Sequence, residues 1–184
     1  MATVSRYPTS DITVGWQVSA GARWDAVDDP AGAPDDDAVY VFTTASGQRQ
    51  AFGMGLGAVP GGSTINSVTV VARIKAISAS DYRINIRNEA AAIDEDTDHS
   101  ASDSYADYSR VWTVNPWTAA PWSVNEANGE SATANRLEGI EVRSIAPATD
   151  IRCTQLYAVI DYTPAGGSPA RPCVTHLSAR RRAV

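Results

Sequence analysis

Residues 111–123 read Val-Trp-Thr-Val-Asn-Pro-Trp-Thr-Ala-Ala-Pro-Trp-Ser, and this stretch holds three of the chain's five tryptophans. Each such ring buries roughly 150–250 Å² when it leaves water, so the segment needs a body to pack against. Pro116 and Pro121 rule out a continuous helix or a central strand through it. The pattern predicts a strand ending at Val114, followed by a rigid Pro-Trp loop held against the domain. Trp112 is expected in the core. Trp117 and Trp122 have two readings, a clasp closing the end of a sandwich or a platform for a sugar ring, and their exposure decides between them. The flanking prolines favour the clasp.

Around this loop the apolar pattern is that of strands. Thr64 to Ile77 alternates Val70, Ala72 and Ile74 against Arg73 and Lys75. Tyr82, Ile84 and Ile86 alternate with Arg83, Asn85 and Arg87, the pattern of a strand with one wet face. Ala38–Thr44, Gln50–Leu56, Gly139–Arg143 and Ile151–Tyr162 read as further strands, with small residues in the second of them allowing a close approach from above. The polar stretch Val124–Arg136 has room for one weak helical turn. Strands at this spacing, with almost no helical periodicity, predict an all-β, antiparallel β-sandwich of jelly-roll type with about eight strands. The domain is expected over residues 1–163. Pro164-Ala-Gly-Gly-Ser-Pro then reads as a linker, leading into a flexible Arg-rich tail over 164–184.

Charge narrows the partners. Four of the 15 basic residues, Arg171, Arg180, Arg181 and Arg182, follow Pro164, so residues 1–163 hold 11 bases against 21 acids, a formal charge of −10. An acidic body argues against nucleic acid, which needs a basic surface. Arg180, Arg181 and Arg182 are candidate anchors to a neighbouring anionic surface. No apolar run approaches the ~20 residues of a membrane span. The first residues lack a basic-then-apolar leader, so synthesis in the cytoplasm is expected.

Reactive constellations are sparse. His99 has Ser100, Ser102 and Asp103 beside it, but a triad is a matter of fold geometry, and the composition there suits a loop. Asp94, Glu95, Asp96, Asp98 and Asp103 form one acidic cluster and Asp28, Asp29, Asp35, Asp36 and Asp37 another. Neither has the spacing of a calcium loop, and both read as solvated loops. Gly53, Gly55 and Gly57 are not followed by the Lys-Ser/Thr of a phosphate loop. Cys153 and Cys173, with two histidines, do not build a four-ligand zinc site; a disulfide between them is one reading, and a buried free thiol at Cys153 is the favoured one. No carboxylate pair stands out for glycoside hydrolysis. No catalytic residue, metal or cofactor is therefore expected.

One resemblance spans residues 7–162. Tyr7-Pro8-Thr9-Ser10-Asp11 with Gly15-Trp16, Asp35-Asp36-Asp37 leading to the Tyr40 strand, the Val68–Ile74 strand, Trp112-Thr113-Val114-Asn115-Pro116 with Pro121-Trp122, and Ile151 to Asp161-Tyr162 together resemble a β-sandwich module of tailed-bacteriophage virion structural proteins. Asn125 to Arg136 departs from that pattern as an added polar stretch. The resemblance implies a non-enzymatic virion component, a capsid decoration or a head or tail fibre. Its partners would be the major capsid protein or other virion proteins, and it would be a homo-oligomer, with a trimer favoured. The alternative is a carbohydrate-binding module attaching to host glycans through Trp117, Trp122 and Tyr105.

Overall fold

The computed structural model describes residues 1–78, 80–90, 92–93, 98–130, 134–146 and 150–166. The elements run β1 (Ala2–Arg6), β2 (Pro8–Thr13), β3 (Gln17–Val18), β4 (Val41–Thr43), β5 (Arg49–Met54), β6 (Thr64–Ala76), β7 (Ser80–Arg87), β8 (Ala92–Ile93), β9 (His99–Ala101), β10 (Ala106–Trp112), α1 (Val124–Asn128), β11 (Gly139–Ser144) and β12 (Ile151–Thr163). They form two six-stranded sheets. The first is ordered β10-β6-β12-β4-β3, with β1 also on β12; the second is β2-β5-β11-β7-β8, with β9 also on β7. Every strand pair is antiparallel. Successive long strands alternate between the sheets, which is the jelly-roll pattern. The expected sandwich is the observed one. The expected count of about eight strands is too low: β1 and β2 are not among the strands expected from sequence, and β3, β8 and β9, two or three residues each, carry too little periodicity to be seen.

The two long partners β6 and β12 form the spine of the first sheet. Val68, Val70, Ala72, Ile74 and Ala76 of β6 and Leu156, Ala158 and Ile160 of β12 are buried against the second sheet's Phe52, Tyr82, Ile84, Ile86, Ile140 and Val142. A large core ring such as Phe52, with no exposed surface, contributes about 3–5 kcal/mol relative to alanine. Between Cys153 and Gln155 the register slips by one residue. That bulge frees the edge of β12 to hold a loop. Leu156 N donates to Val27 O at 2.9 Å, and Gln155 Nε2 donates to Asp29 O and Pro30 O at 3.0 and 2.7 Å. The long connection between β3 and β4 is thereby pinned beside the sheet.

The Pro-Trp stretch closes one end of the sandwich. β10 stops at Trp112, two residues earlier than expected, and Asn115 then organises the turn. Asn115 is fully buried; its N–H donates to Ala120 O at 2.8 Å, its Oδ1 accepts from Trp117 N at 3.0 Å, and its Nδ2 donates to Asn135 O at 2.9 Å. Trp112 and Trp122 are buried, and Trp122 Nε1 donates to Trp112 O at 3.3 Å. Ser123 and Glu126 then cap α1 reciprocally, so the polar stretch holds a true helical turn. Buried Asn128 bonds Val59 through both ends of its amide, at 3.1 Å each, which ties the β5–β6 loop to the helix.

The second sheet corrects another expectation. Tyr82, Ile84 and Ile86 do face the core, but Asn85 on the opposite, nominally wet face has no exposed surface. It packs beside Glu141, also fully buried. Glu141 Oε1 accepts from Arg49 Nη1 at 2.6 Å and Asn85 Nδ2 at 2.9 Å, and its Oε2 accepts from Arg87 Nη1 at 3.1 Å. A carboxylate on the outside of a sheet is thus sealed by the arginine stems around it.

β12 ends at Thr163. Cys173, His176 and the expected anchors Arg180, Arg181 and Arg182 lie outside the described residues. No helix among the described residues is long and apolar enough to cross a membrane.

Candidate functional site

The outer face of the first sheet gathers aromatic and charged groups from four elements and one loop. β6 alternation sends Arg73 and Lys75 outward because Ala72, Ile74 and Ala76 are drawn into the core. Register sets Asp107 of β10 opposite Arg73, and Arg152 of β12 opposite Lys75. Phe42 of β4 lies opposite Arg152, and Tyr40 precedes that strand. Tyr105 immediately precedes β10.

The loop before β4 folds onto this face. Asp36, at φ 49°, presents its carboxylate to Arg73 in a two-point pair, Nε to Oδ1 at 2.6 Å and Nη2 to Oδ2 at 2.9 Å. Arg73 Nη1 donates to Asp107 Oδ1 at 3.1 Å. Asp37 pairs with Lys75, and its Oδ1 also accepts from Arg152 Nη1 at 3.2 Å. Arg152 is held from its other edge by Asp150, at 2.9 and 2.6 Å. Asp35 Oδ1 lies 3.0 Å from the Thr154 hydroxyl at the bulge.

The rings are threaded through this network. Lys75 Nζ stands 4.4 Å from the Tyr105 ring centroid and the Arg73 guanidinium 5.7 Å from it. The Arg152 guanidinium lies 4.6 Å from the Tyr40 centroid, and Tyr40 meets Phe42 edge-on at 5.8 Å. Tyr105, Tyr40 and Phe42 are each half-buried. Tyr105 OH donates to Asp37 Oδ1 at 3.4 Å.

The titrations follow these contacts. The bond from Arg73 holds the Asp36 carboxyl below the usual carboxylate range, and the bond from Lys75 does the same for Asp37. Burial first, then the nearby Asp37 charge, pushes the Tyr105 phenol up. At neutral pH the face therefore carries fixed ion pairs and a neutral Tyr105 phenol. It offers planar donors and acceptors beside apolar ring faces.

The sequence candidates fall into separate places. Tyr105 belongs to this face. Trp117 and Trp122 lie beyond the opposite end of β10, roughly 20 Å away at the rise of a strand. Trp122 is 4% exposed, and Trp117 is half-buried, edge-on to it at 5.9 Å. They form the clasp, and the three candidates do not make one surface. Of the acidic cluster at 28–37, Asp36 and Asp37 enter the ion-pair network, which also takes in Asp107 and Asp150. Asp98 of the other cluster pairs with Arg83, and residues 94–97 lie outside the described residues. Ser100 Oγ donates to Asp81 at 2.6 Å and Ser102 Oγ to Ser104 O at 2.9 Å, which spends both hydroxyl protons away from His99; its ring stacks on Tyr82 at 5.5 Å. Cys153 is a buried free thiol, and burial pushes its pKa up to about 12.

Sequence reasoning singled out Arg73 and Lys75 as outward-facing and the 35–37 acids as a cluster. It missed that they are each other's partners, and it missed Tyr40, Phe42 and Arg152 altogether. The sign alternation of the two segments was the available signal.

No family model matches the chain, and no characterised protein matches it in sequence. Among solved structures it is similar to the C-terminal CBM6 of LamC, a laminarinase of Zobellia galactanivorans, with TM-score 0.47 and 8% identity over 87% of this chain and 100% of that one. It is also similar to the CBM22-1 xylan-binding domain of Xyn10C from Paenibacillus barcinonensis, with TM-score 0.42 and 10% identity over 85% and 92%. A third is the N-terminal cellulose-binding domain of Cellulomonas fimi β-1,4-glucanase C, with TM-score 0.36 and 15% identity over 82% and 88%.

Proposed function

We propose that the chain is a non-catalytic binding module whose ligand is a glycan lying on the outer face of the first sheet. One observation carries the reading: Tyr40, Phe42 and Tyr105 are interleaved with Arg73, Lys75, Arg152, Asp36 and Asp37 on one sheet face. A sugar ring presents an apolar C–H face to an aromatic ring and hydroxyls to planar charged groups, and this face supplies both. Lys75 and Arg73 both stand over the Tyr105 ring, so a stacking sugar uses the ring surface they leave open. The reading rests on this chain's own surface, not on the distant likenesses.

Calorimetric titration against a broad set of neutral and acidic oligosaccharides tests it. Saturable heat is expected for at least one glycan, weakened about tenfold or more by Tyr105→Ala. Tryptophan emission is a poor readout, because Trp112 and Trp122 are sealed in the clasp.

The virion role implied by the sequence resemblance makes a different prediction. Trp16, Trp112 and Trp122, which carry much of that resemblance, are buried scaffold residues, so they speak to the fold and not to a partner surface. A decoration protein would attach saturably to capsids, assemble with sister copies and stay silent to every glycan. Those outcomes would replace the glycan reading.

A further inference from the structure

Arg6, the last residue of β1, is 3% exposed. Its Nε donates to Gly55 O at 2.8 Å, and its Nη1 donates to Ala127 O at 2.7 Å and Leu137 O at 3.0 Å. A guanidinium carries five N–H groups, so the two on Nη2 remain, and no described residue accepts from them. No described carboxylate forms an ion pair with Arg6; Glu130 acts on it only through space. Burial draws the pKa down to about 10, which still leaves the group charged at neutral pH. Three carbonyl dipoles offset part of the cost of burying that charge and leave its net value unbalanced.

The guanidinium lines a pocket of about 190 Å³ with Met54, Leu56, Gly129, Arg136, Leu137 and Glu138. Gly129 caps α1 at φ 79°, and a Cβ there would lie 2.8 Å from Arg6 Nη2. Glycine is thus required where the backbone passes the unused donors. Arg136 places a second cation on the lining, 3.6 Å from Glu89 and 3.9 Å from Glu138. Met54, Leu56 and Leu137 supply an apolar wall. The volume falls below that of drug-sized sites and suits one small molecule or a single sugar unit.

We propose that this pocket binds the carboxylate of a small ligand, with Arg6 Nη2 as its donor. Arg136 adds attraction from the lining, while Glu138 accepts from a neighbouring hydroxyl and opposes a second negative charge. A hexuronic acid has this chemistry, and a simple free acid shares its essential group. The site goes beyond the glycan reading and uses none of the residues of the tyrosine face.

The test is an amide-shift titration of the full chain by NMR with glucuronate, acetate and glucose, followed at Gly129 and Leu137. Saturable shifts are expected with glucuronate and acetate and not with glucose. Arg6→Ala strips three carbonyls of their donor and risks unfolding, so the informative variant is Leu56→Glu, at a side chain 71% exposed on the pocket wall. It should weaken glucuronate about tenfold at low salt by placing a like charge at the mouth. Tyr105→Ala should leave the titration unchanged even where it abolishes oligosaccharide binding. Response to acetate alone would support the site and assign it to a small free acid. No saturable shift with either acid, an equal response to glucose, or full affinity in Leu56→Glu would overturn it.

Discussion

The two sheets carry the same ionic chemistry on their outer faces and use it differently. On the second sheet Glu141 is fully sealed, with Arg49, Arg87 and Asn85 on its two oxygens. On the first sheet Asp36 and Asp37 pair with Arg73, Lys75 and Arg152 from a loop and remain open to water, with side-chain exposures of 38% and 61%. A sealed pair cannot be opened without stranding a charge in low dielectric, so it fixes structure. An exposed network gains little on balance, and water or a sugar hydroxyl can take over any one of its bonds. The difference in burial makes one face scaffold and the other available.

The largest expected effect tests the sealed side. Glu141→Ala should cost about 3–5 kcal/mol in urea unfolding, because two arginines and an amide lose their acceptor together. A loss below about 1 kcal/mol would erase the contrast between the faces. Trp122→Ala should cost a similar amount, about 3–5 kcal/mol, by opening the clasp against Trp112 and Trp117. Tyr105→Ala belongs to the open side, and its unfolding free energy should change far less than its glycan affinity.

The smallest effect is set by pH. Asp36 has a depressed folded-state pKa, so its pairing supports the fold above the ordinary carboxylate value near pH 4 and is lost as pH falls through the lower folded value. Asp28 and Asp29 are shifted upward, mainly by burial, so the folded state takes up their protons first and gains as pH falls through their raised folded values towards the ordinary one. Asp36→Asn should therefore destabilise by less than about 1 kcal/mol at pH 7, and the gap from the parent should close as pH falls below the depressed folded value of Asp36. A gap that persists once Asp36 is protonated in the folded state would mean that it acts through loop geometry and not through its charge.

Much of the sandwich was legible because Val68 to Ala76 of β6 alternate in burial, Tyr82, Ile84 and Ile86 of β7 share one face, and Leu156, Ala158 and Ile160 of β12 share another. Trp112 could be placed in the core from its strand phase, and Pro116 and Pro121 already favoured a clasp over a platform for Trp117 and Trp122. The burial of Asn85 and Glu141 was not legible. Both sit at outward positions of their strands, and only the convergence of Arg49 and Arg87 from neighbouring strands excludes water from them. Tyr105 was named as a contact residue for company it does not keep. Its neighbours Lys75 and Arg73 come from β6 through the antiparallel register, and Asp37 comes from a loop pinned by the bulge at Thr154.

The sequence by itself determined an all-β body, an acidic charge balance and a Trp-Pro clasp, because periodicity, charge and proline geometry are properties of neighbouring residues. Only the tertiary structure decided which charges are partners and which are sealed. It brought Asp36 to Arg73 across 37 residues and Arg6 to Leu137 across 131. Pairing and burial arise between distant segments, and they are what separate an open face from a closed one and leave Arg6 charged and buried with no described carboxylate paired to it.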